Sequence, residues 1–94
     1  MKGDRIAFKV DVDVDDTTGK ARAVYFHIRT GSVDQTREVK SGVAFADYSH
    51  DGLLIGVELL APCEVDILDQ VTKDEPQNVR QFLKSNAPRE LVCN

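Results

Sequence analysis

Two cysteines and two histidines are the side chains of this 94-residue sequence best suited to thiol catalysis or soft-metal ligation. A thiol nucleophile needs a histidine base within hydrogen-bond reach. His50 falls in a turn sequence, Ser49-His50-Asp51-Gly52, and Cys93 stands one residue from the end of the sequence, where positioning is poor. Cys63, Cys93, His27 and His50 contain no closely spaced ligand pair, so a zinc site is not expected. Asp11-Val12-Asp13-Val14-Asp15-Asp16 invites a calcium-loop reading. Counting from Asp11 puts Asp16 where the loop needs glycine and Arg22 where it needs a bidentate glutamate; counting from Asp13 puts Thr18 and Val24 there. Neither register works, and the aspartates read as the solvated face of a strand. No nucleophile elbow, phosphate loop or dinucleotide fingerprint occurs. The reading leans against an enzyme and expects no catalytic residue, metal or cofactor.

Glu58 is the most informative single residue. It lies in Leu53-Leu54-Ile55-Gly56-Val57-Glu58-Leu59-Leu60, where period two puts Leu53, Ile55, Val57 and Leu59 on one face. Leu54, Gly56 and Leu60 flank Glu58 on the other face. A strand apolar on both faces is central and covered, by its own chain or by a partner. A carboxylate buried there needs a partner, because an unpaired charge costs several kcal/mol or titrates to neutrality. Tyr25, His27 and Arg29 are the groups available on a neighbouring strand, with Arg37 a further one. They form either a structural ion-pair network with Glu58 or a small polar ligand pocket built from Tyr25, His27, Arg29 and Glu58.

The elements that must hold these residues follow from periodicity. Ile6, Phe8, Val10, Val12 and Val14 alternate with Arg5, Lys9, Asp11 and Asp13, which predicts a half-buried strand over residues 5–14. Asp15 to Gly19 is a turn, and Ala21 to Arg29 a second strand with Val24, Phe26 and Ile28 inward. Strands over 33–39, 43–48 and 53–60 follow, separated by Ser41-Gly42 and by 49–52. Short strands joined by short turns predict an antiparallel meander over residues 5–60. Beyond Pro62 the period changes to 3.6. Residues 63–72 read as a short helix, with a strand through Val65 and Ile67 as the alternative. Asp74 as N-cap, Pro76 in the first turn and the stripe Val79, Phe82 and Leu83 predict a second helix. Asn86-Ala87-Pro88 stops it, because a residue before proline leaves the α region. The fold class is α+β: one domain over residues 1–94, a meander of about five strands followed by a helical segment, 63–92, packed on the sheet.

Ala23-Val24-Tyr25-Phe26, Thr36-Arg37-Glu38-Val39, Asp47-Tyr48-Ser49-His50-Asp51-Gly52 and Gly56-Val57-Glu58-Leu59-Leu60 keep the order and spacing of a known pattern. On these motifs residues 21–60 resemble the domain of unknown function 2283, a family of small uncharacterised bacterial proteins. Arg22 stands where that family usually has aspartate, and the segment from Ala61 is longer than its minimum. The resemblance implies a small sheet-based fold and brings no activity or site residues.

Charge and composition narrow the partners. Twelve basic and 16 acidic residues give a net charge of −4, with the acidic excess spread along the sequence, which argues against nucleic acid. No apolar run approaches a membrane span, and Met1-Lys2-Gly3-Asp4 opens no secretory leader, so a cytoplasmic location with reduced cysteines is expected. Leu54 and Leu60 need cover that about a dozen helical residues cannot supply, which predicts a homodimer; the alternative is that residues 63–71 fold back over them. The functional reading is a non-enzymatic, self-associating protein-interaction module. Its rival is a small-molecule-binding protein or minor enzyme using the polar sheet face around Glu58.

Overall fold

The computed structural model describes residues 5–93, with Cys93 described by its backbone alone; the amino-terminal reading of residues 1–4 and the thiol of Cys93 lie outside it. Ile6–Val14 (β1) and Ala21–Arg29 (β2) form a hairpin. Its turn is built as the sequence predicts: the Asp15 carboxylate accepts the amides of Thr17 and Thr18 at 2.8 and 3.0 Å. Gly19 takes φ 75°, a conformation that a side chain disfavours. Gln35–Lys40 (β3), Ala44–Tyr48 (β4) and Leu54–Leu59 (β5) continue the chain. The five strands make one antiparallel sheet in the order β1-β2-β5-β4-β3. The last strand is therefore the central one, bonded on both edges, as its apolar composition demands.

Cys63–Glu64 (β6) pairs in parallel with Val92–Cys93 (β7), and between them lie Asp66–Val71 (α1), Gln77–Asn86 (α2) and a 3₁₀ turn, Arg89–Leu91. Residues 63–72 thus divide between a two-residue strand and the expected helix. Pro76, not Asp74, is the N-cap of α2, and no side chain caps it. Proline supplies the extended approach at ψ 158° and carries no amide to satisfy. The helix ends at Asn86, before the extended Ala87 and Pro88. The architecture is α+β: a β1-β2 hairpin and a β3-β4-β5 meander in one antiparallel sheet, with the helices at the carboxyl end.

One face of the sheet carries the core. Val24, Phe26 and Ile28 of β2 meet Ala44, Ala46, Val57 and Leu59, and the helical segment closes over them with Leu68, Val79, Leu83 and Leu91. Each large side chain buried here contributes roughly 1.5–3 kcal/mol, so this layer dominates stability. Phe82 is half-buried, stacked on Phe8 at 4.2 Å and edge-on to Phe26 at 6.0 Å.

Two expectations about burial are corrected. Asp47 pairs with Gly56 but Tyr48 pairs with Leu54, so Ile55 is an extra residue bulged out of β5. The bulge reverses the alternation before Gly56: Leu54 turns into the core, while Leu53 and Leu60 stay exposed. Leu54 therefore needs no dimer to cover it. The second correction concerns β1, where only Val10 is half-buried. β1 is an edge strand that α2 reaches chiefly through the Phe82 ring, so most of its apolar row faces water.

Candidate functional site

The sheet face opposite the core carries the polar groups, and register decides which of them meet. Tyr25 of β2 lies opposite Asp11 of β1 on one side and Glu58 of β5 on the other. His27 lies opposite Lys9 and Gly56, and Gly56 in turn opposite Asp47 of β4. The side chain of Tyr25 crosses β5 over Gly56; any Cβ there would collide with the phenol. The crossing lets Tyr25 donate from its hydroxyl to Asp47 Oδ2 at 2.6 Å, two strands away. The other oxygen, Asp47 Oδ1, accepts the Thr36 hydroxyl at 2.5 Å, so one carboxylate ties β2, β4 and β3 together. Gly56 is the residue whose absence of a side chain makes this possible.

Burial first, then the bond to Asp47, then the charges of Asp47 and Glu58 drive the Tyr25 hydroxyl far above its ordinary range. Near neutral pH it is a fixed donor, neither a base nor a nucleophile. His27 Nε2 meets Asp11 Oδ2 at 2.7 Å, and its ring tilts against Tyr25 with centroids 4.5 Å apart. The bond to His27 is the main cause that holds the Asp11 carboxyl below its usual 3.8, with Lys9 assisting. The pair is largely exposed, and water screens it.

Glu58 is half-buried beside Tyr25, and among the described residues its side chain makes no hydrogen bond or ion pair. Its need for a partner rested on a sheet covered on both faces. The helices pack on the core face, so the carboxylate is hydrated where it stands. It lines an open depression of about 280 Å³ with Asp11, Asp13 and Tyr25. Tyr25 is thus brought beside Glu58, while His27 and Arg29 are not among the residues lining that depression. Arg29 donates to the Leu54 carbonyl at 2.9 Å and to Glu75 Oε1 at 2.7 Å. With side-chain exposures of 11% and 14%, the Arg29–Glu75 pair is a near-buried clamp that fixes the approach to α2. Arg37 lies over the Tyr48 ring, 5.0 Å from its centroid. Tyr25, His27 and Arg29 together line a second open depression, of about 520 Å³, which Glu58 does not line, and each of the three keeps its own hydrogen-bond partner.

Cys63 is buried in the core, its Sγ directed at the Leu91 carbonyl, and His50 is exposed in its turn. Among the described residues no group of His, Cys, Asp and Glu is placed to hold a metal ion. Asp13 meets Arg22 at 3.2 Å, while Asp15 belongs to the turn rather than to an acidic row.

No family profile, curated protein or solved structure matches the chain. The surfaces themselves must carry the functional reading. Two were not anticipated: the Asp47 hub, signalled only by a glycine inside an apolar strand, and the core-side row of β1. Phe8, Val12 and Val14 are 39%, 45% and 43% exposed, although Val12 stands opposite the fully buried Val24. Among the described residues no helix is long and apolar enough to cross a membrane.

Proposed function

We propose that this chain is a non-enzymatic, self-associating protein-interaction module, and that its contact surface is the uncovered β1 end of the core face. The exposed row of Phe8, Val12 and Val14 carries the proposal. Contiguous apolar side chains that continue a core past its last covering helix mark an interface rather than a solvent surface. The rival reading, ligand binding or catalysis on the polar face, has less to support it. Tyr25 is committed to Asp47 as a donor, His27 is engaged by Asp11, and Arg29 is spent on Glu75. The proposal extends to kinship of residues 21–60 with the 2283 family and to a cytoplasmic setting. Sedimentation equilibrium across micromolar concentrations tests the functional reading. Masses rising from 10.4 kDa towards twice that value are expected, and a concentration-independent 10.4 kDa would overturn it.

A further inference from the structure

We infer that the partner is a second copy of this chain, joined by antiparallel pairing of β1 with β1 about a twofold axis at Val10. The inference rests on the self-association proposed above and specifies its geometry. β1 pairs with β2 along one edge and ends the sheet, leaving its other edge of backbone donors and acceptors open. β3 ends the sheet on the far side, but Gln35, Thr36, Arg37 and Glu38 give it no apolar row. β1 has one: Val10 and Val12 share the face of Phe26 and Val24, and Phe8 stacks on Phe82 on that side.

Side chains directly opposite each other in an antiparallel pair share a face. An axis passing between two residues would set the apolar row of one copy against the charged row of the other, so the axis must pass through a residue. At Lys9 it would oppose Lys9 to the partner's Lys9, and at Asp11 it would oppose two aspartates; both are like-charge contacts. At Val10 it sets Lys9 opposite the partner's Asp11 and Phe8 opposite the partner's Val12, each twice by symmetry. Charge order along the strand makes this register self-complementary: Lys9 precedes Val10 and Asp11 follows it, on one face of the strand. Lys9 and Asp11 already stand 3.8 Å apart within one copy, so pairing closes a four-membered ring of alternating charge. The two cores then abut along Phe8, Val10 and Val12 in one ten-stranded sheet.

Three charge variants and one cysteine variant test the register. Lys9→Asp and Asp11→Lys, each placing two like-charge contacts at the axis, should raise the dimer dissociation constant about tenfold by sedimentation. The double variant Lys9→Asp/Asp11→Lys should restore it to within about threefold. Circular dichroism checks that each variant keeps the wild-type fold. Independently, Val10→Cys treated with diamide should give a disulfide joining position 10 of two copies, because opposed residues bring their Cα atoms within bridging range. Wild-type protein under the same oxidant is the control for Cys63 and Cys93. A dimer that neither recovers in the double variant nor cross-links at position 10 would overturn this register while leaving self-association standing. A monomer at every concentration would overturn both.

Discussion

Replacing Gly56 with alanine tests whether the Tyr25–Asp47 crossing organises the polar face. In an ordinary strand Gly→Ala stabilises by about 0.5–1 kcal/mol, since the unfolded chain loses freedom and the strand gains a side chain. Here the new methyl would occupy the volume of the Tyr25 phenol. Tyr25 must swing away, forfeiting its 2.6 Å bond to Asp47 and uncovering ring surface. Overpacking of this kind costs about 1–3 kcal/mol and a hydrogen bond to a carboxylate about 1.5–3, reduced here because Asp47 is only half-buried. Setting the ordinary gain against these losses leaves a net destabilisation of about 2 kcal/mol. For a domain of this size that lowers Tm by roughly 8–16 °C, readable by calorimetry or urea titration. The same alanine placed in a Tyr25→Ala background meets no phenol, so its cost should vanish, giving a coupling near 2 kcal/mol in the cycle. A neutral or stabilising Gly56→Ala in the wild-type background would refute the crossing.

Other outcomes follow from the same geometry. Arg29→Met leaves the Glu75 carboxylate nearly buried and unpaired and should cost about 3 kcal/mol in urea unfolding, whereas Arg29→Met/Glu75→Leu should recover more than half of it. Glu58→Ala and Glu58→Leu should each lie within about 0.5 kcal/mol of wild type, because the carboxylate is hydrated and supports no partner; a loss above 2 kcal/mol for alanine alone would show a pairing. His27→Phe should move the Asp11 titration, followed by carboxyl NMR, up towards 3.8, and an unchanged midpoint would remove His27 as the cause. The sign is that of a depressed acid: the contribution is present above the unfolded value and is lost as pH falls through the lower folded one, so any effect on stability is confined to strongly acidic solution.

Where one residue's surroundings are set by its near neighbours in sequence, the reading and the structure agree. The Asp15 turn, the inward set of β2 and the end of α2 before Pro88 all depend on contacts within a few residues. The division of period at Pro62 and the central place of β5 were legible for a related reason, since hydrophobic spacing records which faces a segment must bury. The cap of α2 was misread because aspartate and proline both mark helix starts, and the chain's approach angle chose between them.

The rest required the third dimension. A single inserted residue, Ile55, reverses the phase of β5, and nothing in an unbroken apolar run marks where a bulge falls. The partner of Glu58 was inferred from a cover that only the packed helices could confirm, and they lie on the other face. Arg29 shares a strand face with Tyr25 and His27, yet its long side chain reaches Glu75, 46 residues away, at the end of the sheet. The exposure of β1 likewise depends on how far α2 extends across the sheet. By itself the sequence determined the fold class, the strands and the core of β2, because alternation and turn chemistry are local. The tertiary structure decided which polar groups meet and which apolar row is left bare, because register, bulges and the reach of the helices are properties of strands brought together from distant parts of the chain.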